Sequence, residues 1–183
     1  MKKSLFLLVI ILCTTLSFSQ KMITRTGEIK FEASMPALEE VAATNNTASC
    51  IFDEATGDFV TLALVKAFKF KVPLMEEHFN ENYMESTTYP KATFKGKVID
   101  FNKLKLVANK PITFSLEGDL TIHGITKAVK NKVTFTLSSN KLNATCNFIV
   151  KNDDYKIKIP NLVKSKVAEE VKITLNFILE EKK

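Results

Sequence analysis

The chain has only two histidines, His78 and His123, and this limits the chemistry that its side chains can perform. Nucleophilic catalysis needs a Ser, Cys or Thr beside a base that a third group orients. No G-x-S-x-G, H-E-x-x-H, C-x-x-C or glycine-rich phosphate loop is present. His78 and Glu81, three residues apart, supply two metal ligands, whereas transition-metal sites normally use about three or four. The sequence therefore predicts a protein that is not an enzyme, with no metal or cofactor, unless further polar groups converge on His78 and Glu81.

The remaining polar and thiol residues have ordinary structural interpretations. His123 precedes Gly124 in a predicted turn, where a histidine bonded to the backbone is expected, and Asp153-Asp154 is typical of a solvated turn. Cys50 and Cys146 alternate in register with phenylalanine, which places both on an inward face. Two separate buried thiols are favoured, and a single disulfide is the alternative.

Period-two alternation of apolar and polar residues runs from Gly27 onward and predicts an all-β fold. One interruption has helical spacing, from Pro73 to about Tyr83. Tight turns are expected at 56–58, 123–124 and 138–140. In the third strand, Leu62, Leu64, Phe68 and Phe70 share one predicted register. The predicted strands contain the runs 29–33, 48–52, 59–72, 92–98, 112–122, 129–137, 144–150 and 171–179.

Eight strands with one apolar face each must bury those faces against one another. A sheet closed into an antiparallel barrel does so and leaves no free edge, and eight strands enclose either their own side chains or one small ligand. A two-sheet sandwich is the alternative. The sequence thus predicts an eight-stranded antiparallel barrel with one short helix between strands three and four.

Phenylalanine dominates the predicted interior, since the chain has 14 phenylalanines and no tryptophan. Two interpretations remain open: a packed aromatic core, or a dry cavity suited to a hydrocarbon chain. For the cavity, we predict that His78, Tyr83 or His123 meets a polar head group near the rim. The predicted lining consists of Phe31, Phe52, Phe68, Phe70, Phe94, Phe114, Leu120, Phe135, Phe148 and Phe177.

Residues 1–19 have the pattern of a signal peptide, with Lys2 and Lys3, an apolar run, and small residues before a cut after Ser19. The domain then spans 20–183 and is expected to be periplasmic or secreted. The apolar run is too short to cross a bilayer, which needs about 20 residues, so no stable membrane insertion is expected. The formal charge of +6 is carried almost entirely by lysine, with Arg25 the single arginine. Nucleic-acid sites favour clustered arginine with aromatic residues, so no nucleic-acid partner is expected.

The segment from Gly118 to Lys127 reads G-D-L-T-I-H-G-I-T-K and resembles the G-x-L-T-I-H-G-V-T-K hairpin of the YceI family. Met75 and His78-Phe79, followed by the Tyr89 to Phe94 segment Y-P-K-A-T-F, are similar to that family's helix and its Y-P-x-x-x-F motif. The resemblance implies a lipocalin-like barrel that binds polyisoprenoids or related long-chain amphiphiles and has no catalytic residues.

Two departures from the family pattern put the ligand entrance and isoprenoid specificity in doubt. Met75-Glu76-Glu77 stands where many members carry an Arg-Asp pair, and Leu38-Glu39-Glu40-Val41 replaces a G-x-F turn.

The leading functional hypothesis is an exported carrier for a long-chain lipid or isoprenoid. The alternative is a ligand-free barrel that serves as an interaction or stress-related envelope module. An exposed apolar patch near residues 41–43 or on the helix, together with a filled interior, would favour that alternative.

Overall fold

The computed structural model describes residues 21–35 and 40–182. The predicted signal peptide therefore lies outside the described residues, as does Leu38-Glu39. Within the described residues, no helix is long and apolar enough to span a membrane.

Nine strands form one antiparallel sheet in the order β1-β9-β8-β7-β6-β5-β3-β2-β4. Strand β1 pairs with both β9 and β2, and this second pairing closes the sheet into a barrel. The predicted all-β fold and closed barrel are therefore confirmed. The strands are β1 (Lys21–Ser34), β2 (Ala42–Asp53), β3 (Asp58–Leu64), β4 (Lys69–Phe70), β5 (Lys91–Val98), β6 (Ile112–Ile122), β7 (Ile125–Ser138), β8 (Lys141–Lys151) and β9 (Val167–Glu181).

The third predicted strand is interrupted, which reconciles nine strands with an eight-stranded barrel. A 3-10 turn at Val65–Ala67 separates β3 from β4, and both strands pair with β2. The turn shifts the alternation by one residue, so that Thr61 and Ala63 face inward before it and Phe68 faces inward after it. The single register predicted for Leu62, Leu64, Phe68 and Phe70 was therefore wrong, because Leu62 and Leu64 lie on the opposite face of β3 from the buried residues.

Hydrogen bonds from buried and backbone groups hold this interruption in place. The Asn45 side chain, fully buried in β2, donates from Nδ2 to the Leu64 carbonyl at 3.1 Å. The Val65 amide donates to the Pro90 carbonyl at 2.9 Å. These bonds satisfy backbone groups that leave the β-ladder at the break, as buried polar groups require.

The predicted helix is present as α1 (Pro73–His78), which continues as a π-helical turn over Phe79–Tyr83. Pro73 occupies the first turn, where its missing N–H costs no hydrogen bond. Glu76 ties the helix to β4, because its carboxylate accepts from the Lys69 ammonium and the Phe70 amide. The hydrogen bond from Lys69 is the main reason that the pKa of Glu76 lies below its usual value.

The predicted hairpin turns also form where expected. His123 and Gly124 have φ values of 51° and 72°, and Ser139 and Asn140 have 47° and 62°. Positive φ at both central residues is typical of the two-residue turns whose twist matches antiparallel strands. These turns bring β6, β7 and β8 into one continuous wall of the barrel.

Candidate functional site

The barrel encloses a cavity of about 550 Å³ in the half of its interior nearest α1. This volume lies within the range of about 300–1,000 Å³ that is typical of small-molecule pockets. Strands β1, β3, β6 and β8 run toward the helix end and line the cavity with the residues that approach it. Strands β5 and β9 run the other way and line the cavity with their N-terminal parts. The apolar wall residues include Ile29, Phe31, Ala33, Ala63, Phe68, Phe70, Phe79, Ala92, Phe94, Leu116, Leu120, Ile122, Phe148, Val150, Val171, Ile173 and Leu175.

The other half of the interior is filled by phenylalanine rings, which we call the aromatic plug (Phe52, Phe101, Phe114, Phe135 and Phe177). Phe135 stacks on Phe52 with ring centroids 5.0 Å apart, and Phe101 meets Phe52 edge-on at 4.8 Å. Offset and edge-on pairs of this kind each contribute about 0.5–1.5 kcal/mol beyond the area they bury.

Phe59 forms the floor between the plug and the cavity. Its ring lies 5.9 Å from that of Phe52 in the plug and 6.4 Å from that of Phe94 in the cavity wall. Phe59 also lines the cavity. Phe59 therefore marks the level at which the cavity meets the aromatic plug.

The structure divides the predicted lining residues between these two halves. The packed core and the cavity, which the sequence left as alternatives, are thus both present at opposite ends of one barrel. Phe31, Phe68, Phe70, Phe94, Leu120 and Phe148 line the cavity. Phe52, Phe114, Phe135 and Phe177 do not line it, because they point inward at the plug end, and alternation gives direction but not depth along the barrel axis.

At the open end, Phe31, Phe68, Phe70 and Phe79 form what we call the mouth cluster. Phe79 is its centre, with ring centroids 5.2 Å from Phe31, 5.9 Å from Phe68 and 5.1 Å from Phe70. Phe79 begins the π-helical turn, so these contacts hold the helical segment across the end of the barrel. The 73–83 segment therefore borders the cavity entrance, where Met75, His78, Tyr83 and Met84 also line the cavity.

The histidines predicted at the rim occupy different positions. His78 lines the cavity, and its Nδ1 accepts a hydrogen bond from the Asn82 amide at 3.0 Å. His123 is not among the residues that line the cavity, and its contact with a ligand head group stays a prediction. Its Nδ1 donates to the Tyr155 carbonyl at 3.1 Å, and its ring meets Tyr89 edge-on at 4.5 Å. The interpretation of His123 as a turn residue bonded to the backbone is confirmed.

One group of polar residues in the lining lies where β8 connects to β9. Lys151, Asn152, Tyr155 and Lys166 all border the cavity there. Tyr155 is buried, and both burial and the neighbouring Asp154 charge raise the pKa of its phenol. Sequence reasoning missed this set because it treated the connection only as a loop. The alternating K-I-K-I run at 156–159 indicates only that Ile157 and Ile159 share one face, and both line the cavity.

Cys50 and Cys146 are separate buried thiols, as favoured from the sequence. Cys146 lines the cavity, and burial raises the pKa of its thiol to about 11. Burial also raises the pKa of Cys50. Both thiols are therefore protonated, weak nucleophiles near neutral pH.

Glu81 does not share the cavity lining with His78. Across residues 21–35 and 40–182, no cluster of three or more His, Cys, Asp or Glu side chains is arranged to hold a metal ion. The convergence of ligands that would revive an enzyme hypothesis is thus not seen in the described part of the chain. The absence of catalysis stays a prediction.

Solved structures with the same architecture include a polyisoprenoid binding domain from Saccharophagus degradans implicated in plant cell wall breakdown. It is 14% identical, with a TM-score of 0.77, and the match covers 89% of this chain and 99% of that one. Burkholderia cenocepacia BcnA matches at 19% identity and a TM-score of 0.67, over 84% and 95% of the two chains. A Campylobacter jejuni YCEI protein matches at 17% identity and a TM-score of 0.59, over 81% and 89%.

Identities this low show a shared fold. No curated protein matches the chain. The model of the YceI-like domain family matches residues 14–179, which is most of the sequence. The chain therefore belongs to the YceI-like domain family, as the hairpin and helix motifs indicated.

Proposed function

We propose that this protein is an exported carrier that holds a long apolar chain, isoprenoid or fatty-acid-like, in the hollow half of its barrel. The observation that carries the proposal is the cavity of about 550 Å³, walled by aliphatic and aromatic side chains and opening beside α1. A cavity with a mainly apolar lining favours hydrocarbon over a sugar or nucleotide, whose polar groups would lose hydrogen bonds to water.

The distribution of polar groups supports an amphiphile with its tail inward. The floor at Phe59 is apolar, whereas His78, Tyr83, Lys151 and Lys166 border the open end. A ligand in this orientation keeps its polar head where charged and hydrogen-bonding groups are available. The structural likeness to a polyisoprenoid binding domain supports an isoprenoid as one candidate tail.

The ligand-free interaction module is less well supported. A filled interior and an exposed apolar patch at residues 41–43 would favour this alternative. Ala43 is buried, however, and the interior is hollow at one end. On the helix, Leu74 is 57% exposed. One exposed leucine is ordinary on a protein surface.

The direct test is mass spectrometry of organic extracts from protein purified without detergent, followed by titration of the delipidated protein with palmitate and farnesol. We expect a co-purifying lipid or saturable binding of one of these probes. Repeated absence of both would overturn the proposal.

A cavity-filling variant tests whether binding occurs in the barrel. Ala63 points into the cavity from β3, so Ala63→Phe should occupy ligand volume and weaken probe binding by about tenfold or more. Val60→Phe on the outward face of the same strand is the matched control and should bind normally. Equal binding by both variants would place the ligand elsewhere.

Export is the second part of the proposal, supported by the signal-peptide pattern in residues 1–19. Intact-mass measurement of the protein from periplasmic and culture fractions should give a chain that begins at Gln20. Recovery of the uncut chain from the cytoplasmic fraction alone would contradict it.

A further inference from the structure

Residues 156–166, which we call the basic lip, connect the 3-10 turn at Asn152–Tyr155 to β9 beside the cavity mouth. Its sequence is K-I-K-I-P-N-L-V-K-S-K, with four lysines and no acidic residue. All four lysines are exposed. The lip is thus a local concentration of positive charge at the edge of the ligand entrance.

Side chains of the basic lip divide into two sets. Ile157, Ile159 and Val163 line the cavity. Leu162 instead is 90% exposed, at the centre of a turn that the Val163 amide closes by donating to the Pro160 carbonyl at 3.0 Å. The lip therefore presents an apolar tip surrounded by cations, and its other side forms part of the cavity wall.

We infer that the basic lip docks the barrel mouth onto the surface of an anionic bilayer, with Leu162 entering the head-group region. This inference rests on the proposed carrier function and names the partner with which the cavity exchanges ligand. Each lysine near an anionic surface contributes roughly a fivefold gain in binding, and an exposed leucine adds the transfer of its side chain out of water. A ligand tail leaving the bilayer would then meet the cavity wall directly.

Acidic residues flank the lip, with Asp153 and Asp154 before it and Glu169 and Glu170 after it. Two of these charges are neutralised by lysines outside the lip, because Asp154 pairs with Lys127 and Glu170 with Lys151. Lys164 lies 3.6 Å from Glu169, while Lys156, Lys158 and Lys166 have no ion-pair partner among residues 21–35 and 40–182. On α1, Glu77 is exposed, and an anionic surface would repel it.

The plug end of the barrel supplies a matched control loop. Leu104 there is 92% exposed and lies between Lys103 and Lys105, so it offers a similar composition without a cavity beside it. Lys103 already pairs with Glu54 at 2.7 Å, which lowers the net charge of this loop. Substitutions at Leu104 and Lys105 therefore control for a general effect of surface charge and exposed leucine.

The test is co-sedimentation of the purified protein with vesicles of phosphatidylglycerol and phosphatidylcholine, compared with phosphatidylcholine alone. We expect binding to the anionic vesicles, weakened by added salt. The pair Lys156→Gln and Lys158→Gln should lower the affinity by roughly fivefold per lysine. Leu162→Ser should lower it by about tenfold, whereas Leu104→Ser and Lys105→Gln should leave it unchanged.

Three outcomes overturn the inference: equal binding to both vesicle types, no effect of the lip variants, or equal loss in the control loop variants. Capture of an acidic protein by the lip without vesicle binding would also overturn it. Titration of the same variants with palmitate or farnesol in the absence of vesicles separates this inference from the carrier proposal. Normal probe binding without docking refutes only the docking, and docking without any probe binding refutes only the carrier.

Discussion

The division of the barrel into a filled and a hollow half predicts opposite effects for two phenylalanine truncations. Phe135 is fully buried in the aromatic plug, with four ring neighbours at centroid distances of 5.0–6.5 Å. Phe148 lies on the adjacent strand β8, is partly buried, and borders the cavity. Both are inward-facing phenylalanines, so the sequence pattern alone does not distinguish them.

The magnitudes follow from what each ring contacts. Phe135→Ala removes a close-packed ring and leaves a new void, which costs about 3–5 kcal/mol of unfolding free energy. For a domain of this size that loss lowers Tm by roughly 6–20 °C. Phe148→Ala enlarges a cavity that already exists, so it forfeits only part of the transfer free energy, about 1 kcal/mol, or roughly 2–4 °C.

Thermal and urea unfolding of delipidated protein, followed by circular dichroism, measure the two losses. Delipidation matters because a bound ligand stabilises the native state and would mask the difference. Probe titration should give the reverse order, with Phe148→Ala weakening ligand binding and Phe135→Ala leaving it nearly unchanged. Equal stability losses for the two variants would refute the division into a packed and a hollow half.

Three further predictions concern ionisation, backbone spacing and the entrance. Burial raises the pKa of Cys146 from 9.0 to about 11, so its contribution to stability is complete below about pH 9 and is lost as the pH rises toward 11. Cys50, whose pKa burial also raises, loses stability over the same range. Urea unfolding should therefore show a fall that Cys146→Ala reduces by about 1–2 kcal/mol, with the share of Cys50 remaining. A Cβ on Gly118 would lie 2.4 Å from the Gly96 Cα, so Gly118→Ala should cost about 2 kcal/mol or more by calorimetry, while Asp119→Ala should cost little. Phe79→Ala removes the centre of the mouth cluster. Stopped-flow release of a bound fluorescent fatty acid should then be about tenfold faster, and an unchanged release rate would show that the helix does not border the entrance.

Alternation of side chains was sufficient to predict the strands and the turns, because both are decided by neighbours in sequence. Closure of the sheet depends on the pairing of β1 with the distant β9 as well as with β2, and for that reason the pattern also allowed a two-sheet sandwich. The helix could also be predicted from the sequence, since Pro73 and the spacing through Tyr83 are local features. The β3–β4 break could not, because it depends on Asn45 reaching the Leu64 carbonyl from another strand. A shift of one residue there reversed which leucines face outward.

The position of the cavity was the larger omission, and its cause is also non-local. Phe94 and Phe135 follow the same inward pattern, yet one lines the cavity and the other belongs to the plug. Strand stagger in the closed barrel decides which inward residues share a level, and that stagger is set by pairings such as Phe94 with Leu120 and Phe135 with Ala144. The family motifs predicted the barrel and an apolar ligand, but contained nothing about depth.

The plug and the cavity depend on each other energetically. An empty, dry void of about 550 Å³ would forfeit on the order of 10 kcal/mol at the roughly 24 cal/mol per Å³ measured for engineered cavities, which is comparable to the whole stability of a typical domain. Water that enters through the open end lowers this cost, and a tightly packed remaining interior or a bound ligand offsets the rest. The aromatic plug supplies this tight packing in the half of the barrel that the cavity does not reach. Because Phe59 separates the two halves, the open end is free to change its lining and entrance without loosening the rings that hold the fold together.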